Sequence, residues 1–156
     1  HGSSLSKGVH ALVAAQLGET EAAVRYFGET AATDLRATGD SSAGGVHIAA
    51  LGGLWQAAVF GFAGLSLRED ALGIDPRLPP AWRTLGFCVH WRGRLVRVEI
   101  DQAAREVRAE LVRGDAVPLD VGGTRHLLAA GATYRSGLAA MGERMRGKSC
   151  EAWRSP

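Results

Sequence analysis

Two short segments gather the residue types that hold an anion. The first, His1-Gly2-Ser3-Ser4-Leu5-Ser6, stands directly ahead of one helical pattern, and the second, Gly44-Gly45-Val46-His47, directly ahead of another. A helix start offers unpaired backbone N–H groups and the positive end of the peptide dipoles, and both attract negative charge. Gly44 and Gly45 let an oxyanion come close to the main chain. His47 can donate to that ion and is favoured in its protonated form beside it. Plainer readings exist for the same residues: Ser3 and Ser4 as helix caps, and His47 as an interior imidazole satisfied by its neighbours. The sequence has no G-x-S-x-G elbow, H-E-x-x-H, Walker loop, C-x-x-C or G-x-G-x-x-G. Cys88 and Cys150 are too few for a disulfide framework or a zinc site, so no metal is expected. Both are read as free thiols in a reducing cytoplasm.

The elements that position these segments are helical in the first third of the chain. Val9, Leu12, Val13 and Leu17 follow helical spacing, and Gly18 is a stop signal. Thr20 can cap a second helix, with Glu21 in its first turn and an apolar stripe of Val24, Phe27, Ala31 and Leu35. After a small-residue loop from Gly39 to Gly45, a third helix is expected from about Val46 to Phe60, apolar on nearly every face. Such a helix must be covered on all sides, with Trp55 and Phe60 in the core. Three short helices cannot enclose one of their own number, so the helical part is expected to belong to something larger.

The middle of the chain changes period. Leu85, Phe87, Val89 and Trp91 alternate, Arg92-Gly93 is a turn signal, and Val96, Val98 and Ile100 alternate again. Short runs follow at Val107 to Leu111, Val117 to Val121 and Arg125 to Leu128, so an antiparallel meander within a β-sandwich is expected. Asp75-Pro76-Arg77-Leu78-Pro79-Pro80-Ala81-Trp82 reads as an extended connector, because prolines exclude helix. Trp82 and Trp91 are expected as anchors, His90 on one face with Cys88 and Arg92, and Glu29 and Asp34 as solvated charges. The fold class is α+β, divided into residues 1–66, 67–130 and a tail or linker at 131–156.

Composition narrows the function classes. The 156 residues carry 18 Lys and Arg against 16 Asp and Glu, and 46% are hydrophobic, which excludes a disordered chain. Residues 67–156 hold fifteen basic and eleven acidic residues, but the signs alternate, as in Arg97, Glu99, Asp101, Arg105, Glu106, Arg108 and Glu110. Alternation of this kind suits cross-strand ion pairs on a solvated face and not a nucleic-acid surface. The longest apolar stretch, Ile48 to Leu67, is broken by Gly52, Gly53, Gln56, Gly61 and Gly64 and is not read as a membrane span. The chain starts at His1 without a leader-like segment and is expected to be a processed product or a fragment.

The run from Gly45 through His47 and Trp55 to Leu65 resembles the last inner helix of family 65 glycoside hydrolases, the inverting disaccharide phosphorylases of maltose, trehalose, kojibiose and nigerose. The resemblance continues through Ile74 to Trp82, and through Leu85-Gly86-Phe87 to Trp91-Arg92-Gly93 at the opening of that family's C-terminal β domain. Upstream, Ser3-Ser4-Leu5-Ser6, Ala14-Ala15-Gln16-Leu17-Gly18 and Tyr26-Phe27 through Asp34-Leu35 fit the same family in the same order. It implies that residues 1–64 are the closing helices of an (α/α)6 catalytic barrel, followed by an antiparallel β-sandwich. It also transfers phosphate binding to Ser3, Ser4 and His47, with Gly45 lending backbone to the same pocket. The family's general acid, a Glu upstream of the Ser-Ser motif, has no counterpart in the chain, so no catalytic residue is assigned and the chain alone is expected to be inactive.

An inverting glycosidase needs one carboxylic acid for the leaving oxygen and a second carboxylate to activate water. In a phosphorylase the phosphate is itself the nucleophile, and a second carboxylate would repel it. Hydroxyls, backbone N–H groups and an imidazole are the expected replacement. The resemblance therefore implies cleavage of an α-glucosidic disaccharide by inorganic phosphate, giving β-glucose 1-phosphate and glucose. No cofactor is implied, since phosphate is a substrate. The implied partners are the disaccharide, phosphate, the N-terminal part of the same enzyme and a second copy in a full-length homodimer, in the cytoplasm. The alternatives are a hydrolytic relative of the acid trehalase type and a non-catalytic carbohydrate-binding or interaction module.

Overall fold

The computed structural model of the protein describes residues 6–35 and 46–137. The chain divides into two compact units, one of residues 1–66 with 76–81, the other of 67–75 with 82–156.

The helical unit contains α1 (Ser6–Leu17), α2 (Thr20–Leu35) and α3 (Ile48–Gln56), and α3 runs on into a π-helical segment, Ala57–Phe62. Gly18 ends α1 at φ +82, a value glycine adopts freely, and the Glu19 amide closes the turn on the Ala14 carbonyl at 2.9 Å. The face that α1 buries is Gly8, Ala11, Ala14 and Ala15. Of the apolar stripe expected from spacing, Val9, Val13 and Leu17 point the other way, 52%, 46% and 72% exposed, while Leu12 is half-buried and meets Gly61. Small side chains win the interior because they allow close helix contact. The Gly8 backbone lies against that of Gly53, and Gly61 against Leu12 and Ala15.

On α2 the buried residues are Ala23 and Thr30, while Val24 is exposed and Phe27 meets Phe62 edge-on with centroids 5.7 Å apart. The Thr30 hydroxyl is satisfied locally, donating to the Tyr26 carbonyl at 2.7 Å. Glu29, expected as a solvated charge, is half-exposed and pairs with Lys7 at 3.1 Å.

The third helix departs from its expected burial. Ala50, Ala57, Val59, Gly61 and Phe62 are buried, yet Ile48, Leu51 and Trp55 are 78%, 47% and 50% exposed. Spaced three and four apart, these three form a second apolar ridge that the described chain leaves uncovered. Trp55 is therefore not a core residue of this chain; it meets the half-buried Phe60 edge-on at 5.7 Å. The proline connector docks on this unit: the Arg77 amide donates to the Phe62 carbonyl at 2.7 Å and its guanidinium to the Gln16 carbonyl at 2.8 Å.

The described strands form two four-stranded sheets, of which all but most of the short first strand belong to the second unit. Their strands are β1 (Leu65–Leu67), β2 (Leu72–Ile74), β3 (Thr84–Trp91), β4 (Arg94–Asp101), β5 (Glu106–Arg113), β6 (Val117–Val121), β7 (Thr124–Leu128) and β8 (Thr133–Gly137). The sheet orders are β1-β2-β6-β7 and β3-β4-β5-β8. Arg92 and Gly93 both take positive φ, 48 and 78, which matches the twist of a two-residue hairpin, and Trp91 pairs with Arg94 across it. Alternation buries Val96, Val98 and Ile100 on β4, Val107, Ala109 and Leu111 on β5, and Val117, Leu119 and Val121 on β6.

Two expectations are corrected. The pairing is not antiparallel throughout, because β2 joins β6 in parallel, Leu72 opposite Leu119 and Ile74 opposite Val121. The chain after residue 130 is not all tail, because β8 pairs with β5 from Glu106 opposite Gly137 to Glu110 opposite Thr133. Trp91 is buried as an anchor should be, with the Arg92 guanidinium 5.3 Å from its ring centroid.

Candidate functional site

His47 occupies the N-cap position of α3, with φ −81 and ψ 71. Its carbonyl accepts from the amides of Ala50 at 2.9 Å and Leu51 at 3.2 Å, the first bonds of the helix. The residue is half-buried, and its side chain makes no capping bond to the helix it starts. It is thus not locked into holding its own helix, as a Ser or Asp cap would be. The other proposed site residues, Ser3, Ser4 and Gly45, lie outside the described residues.

What the structure adds is the relative direction of two helices. Gly8 meets Gly53, Leu12 and Ala15 meet Gly61, and the Gln16 amide reaches the Phe60 carbonyl at 3.5 Å. Later residues of α1 thus meet later residues of α3 and its π-helical continuation, so the pair runs parallel. His47, six residues before Gly53, belongs to the same end of the pair as Ser6, two residues before Gly8. Ser4 precedes Ser6 by only two residues in the chain, a reach of at most about 7 Å.

A parallel pair sets two positive dipole ends side by side, which is unfavourable until something negative joins them. Neither α1 nor α3 has an acidic residue in its first turn, in contrast to α2 with Glu21. Lys7 stands in the first turn of α1, and its charge is offset by Glu29. Lys7 is a cation near this end that spacing alone did not single out. With backbone donors at both starts and the Glu29 carboxylate paired with Lys7, such an end can hold an oxyanion.

Among the described residues, the groups with displaced pKa lie elsewhere, on strands and in the bend between β1 and β2. The hydrogen bond from Arg125 to Asp70, 2.7 Å, holds that carboxyl below the usual carboxylate range, and the charge of Arg125 adds to it. The charge of Glu110 raises Arg97, and the hydrogen bond to Glu106 raises Arg108. Of these surface ion pairs, Arg97–Glu110 joins opposed residues of β4 and β5, the cross-strand kind the alternating signs suggested, whereas Arg108–Glu106 lies within β5 and Arg125–Asp70 reaches the bend after β1. On the outer face of β3 and β4, Gly86, Cys88, Arg97 and Glu99 line an open hollow of about 390 Å³. Among the described residues no group of three or more His, Cys, Asp or Glu could hold a metal ion, and no helix is long and apolar enough to cross a membrane.

Residues 1–56 match the family described as "Glycosyl hydrolase family 65 central catalytic domain", and residues 65–128 match "Glycosyl hydrolase family 65, C-terminal domain". The chain is 43% identical over 100 residues to the kojibiose phosphorylase of Halothermothrix orenii, a match covering 64% of this chain and 13% of that protein. It is 38% identical over 128 residues to the alpha,alpha-trehalose phosphorylase of Geobacillus stearothermophilus, covering 82% of this chain and 16% of the relative. With the maltose phosphorylase of Bacillus subtilis the identity is 36% over 121 residues, again 16% of the relative. The chain thus spans about one-seventh of the length of the curated relatives it matches. Among solved structures, "Putative kojibiose phosphorylase from human microbiome" superimposes with TM-score 0.75 and 25% identity, over 88% of this chain and 20% of the other. Mixed α+β architecture, matched helical and β segments and relatives of one kind agree: the chain belongs to glycosyl hydrolase family 65.

Proposed function

We propose that this chain contributes the phosphate-binding half of the active site of an inverting disaccharide phosphorylase. Residues 1–64 act as closing helices of an (α/α)6 barrel, followed by its β-sandwich domain. The hydroxyls of Ser3 and Ser4, the backbone at Gly45 and the imidazole of His47 hold inorganic phosphate. A glutamic acid from another part of the enzyme protonates the leaving oxygen. Phosphate attacks C1 from the opposite face, the glycosidic bond breaks, and an α-linked substrate gives β-glucose 1-phosphate and glucose. The reaction needs no cofactor, because phosphate is the nucleophile. In the full-length enzyme, a cytoplasmic homodimer in this reading, the uncovered ridges of α1 and α3 pack against the rest of the barrel.

The observation that carries the reading is the parallel approach of α1 and α3, both without an acid in the first turn. A hydrolytic relative would need a carboxylate base near the attacking water; among the described residues the first turns of these two helices carry none, and Glu29, which reaches the first turn of α1, is paired with Lys7. The phosphorylase names of the relatives support the same choice. A titration with inorganic phosphate, followed through the His47 imidazole resonance, tests it. Saturable binding that is lost in His47→Ala supports the phosphate site, and a resonance indifferent to phosphate refutes it. Assayed with trehalose, maltose and kojibiose, the chain should show no phosphorolysis. Turnover above blank would overturn the division of acid and phosphate between two parts of the enzyme.

A further inference from the structure

We propose that the hollow over Gly86, on the outer face of β3 and β4, is a surface site for a neutral sugar, built from none of the residues assigned to phosphate. Glycine inside a strand weakens it, and three backbone circumstances account for most such glycines: a left-handed φ, a β-bulge, or close approach of another backbone segment. Among the described residues none of them applies at Gly86. Its φ lies outside the left-handed range, and the pairing of β3 with β4 runs unbroken from Thr84 opposite Asp101 to Trp91 opposite Arg94. Apart from its chain neighbours, a Cβ built there would find only the Val98 carbonyl oxygen, at 3.8 Å, an ordinary contact. Strand β3 has room for a larger residue at position 86, and what the glycine keeps is open space. The remaining account of a strand glycine is a ligand that comes close to the backbone.

The groups around the opening select the ligand. Thr84 and Cys88 flank Gly86 on β3, while Glu99 and Arg97 stand opposite Gly86 and Cys88 on β4. Both arginines beside Glu99 are turned to other carboxylates, Arg97 to Glu110 at 2.9 Å and Arg108, opposite on β5, to Glu106 at 2.7 Å. The Glu99 carboxylate makes no hydrogen bond or ion pair among the described residues, so its oxygens are open acceptors at the rim. An anion entering the hollow would meet that carboxylate, and a cation would meet guanidinium groups. A neutral ligand escapes both repulsions. Sugar hydroxyls each donate and accept, so two neighbouring hydroxyls can give to Glu99 and take from Arg97 or Thr84. The C–H face of the ring then lies on the bare glycine backbone. At about 390 Å³ the hollow falls within the range of small-ligand sites, about 300–1,000 Å³, and its open form suits one sugar unit held by one face.

Glucose, maltose and kojibiose are titrated into the whole chain, with the backbone amide resonances of Phe87 and Val98 as readout. Saturable shifts with a dissociation constant of about 1–10 mM are expected from a few exposed hydrogen bonds. Gly86→Val fills the hollow and should weaken binding about tenfold or more, while raising the urea midpoint because valine suits a strand. Glu99→Gln keeps the shape and removes the charged acceptor, and should weaken binding about three- to tenfold. Gly28→Ala on α2, where nothing lies within 4 Å of the added Cβ, should leave binding unchanged. Wild-type sugar affinity in a folded Gly86→Val protein overturns the proposal. If Gly86→Val does not fold, Glu99→Gln decides, and unchanged affinity there overturns it. The same holds if no sugar shifts these resonances, or if inorganic phosphate competes with the sugar at them. None of these results bears on the phosphate reading, which the His47 resonance tests.

Discussion

Replacing Ile48 by serine should dissolve self-association of the isolated chain without unfolding it. The two uncovered ridges, Val9, Val13 and Leu17 on α1 and Ile48, Leu51 and Trp55 on α3, are each between 46% and 78% exposed. Full burial of one such aliphatic side chain is worth about 1.5–3 kcal/mol. Covering what these six leave open is therefore worth about 6–10 kcal/mol per copy. Two copies meeting through these faces would gain about 12–20 kcal/mol against an association cost of about 4–15 kcal/mol. A dimer of roughly micromolar strength is the expected result. Ile48, at 78% exposure, accounts for about 1.5–2 kcal/mol per copy. A two-fold dimer counts that loss twice, about 3–4 kcal/mol, which is a several-hundred-fold weaker association. Sedimentation equilibrium across a concentration series reads both constants. The melting transition of the variant at low concentration should stay within about 0.5 kcal/mol of the original, as for other exposed positions. An unmodified chain that stays monomeric at several hundred micromolar would refute the ridge argument, and so would equal dimer constants for the two proteins.

Phe62→Ala should lower stability by about 3–5 kcal/mol in urea unfolding, since the ring is fully buried and faces Phe27; a loss below about 1 kcal/mol would contradict its place in the core. Gly114→Ala should cost about 1–3 kcal/mol. The residue has φ +108, and a Cβ there would lie 2.9 Å from the Cγ and 3.0 Å from the Cα of Arg94, whose Nε is tied to the Asp115 carbonyl at 3.0 Å and the Ala116 carbonyl at 3.2 Å. An unchanged urea midpoint would show that the turn can relax. The lowered pKa of Asp70 makes its pairing with Arg125 stabilising above about pH 4, a contribution lost as pH falls through the lower folded value. Comparing urea midpoints at pH 5 and pH 3, Asp70→Asn should show a shallower acid loss than the unmodified chain; parallel profiles would remove the pair from the acid response.

The three helices and the long strands were legible from their periods and their start and stop signals. Leu85 to Trp91 and Val96 to Ile100 alternate cleanly around Arg92-Gly93, and both strands and their turn stand where the pattern put them. Direction of burial was less legible on α1, where helical spacing of the larger apolar side chains picks Val9, Leu12, Val13 and Leu17, and of these only Leu12 turns inward. The structure buries glycine and alanine instead, because close backbone approach decides that contact. Strands β1 and β2 are three residues each, too short for any period, and β8, Thr133 to Gly137, has no buried residue to betray it. At the site, His47 was singled out by residue type and by family resemblance. The parallel run of α1 and α3 was not, since it follows from glycine contacts 45 to 49 residues apart in sequence.

The parallel pairing of β2 with β6 has a consequence for how the β unit comes to be made. Leu72 must wait for Leu119, 47 residues later, before its ladder can close. Sheet β3-β4-β5-β8 owes most of its pairing to near neighbours in the chain, whereas β2 has to be recruited from far back. Long-range closure of this kind slows folding. During synthesis the β3-β4 hairpin can zip as it emerges, while Leu72-Gly73-Ile74 stays an unsatisfied edge until residue 121 has left the ribosome. A stop codon placed between Gly114 and Val121 should therefore release a product that is captured by chaperones instead of one that is partly folded and soluble.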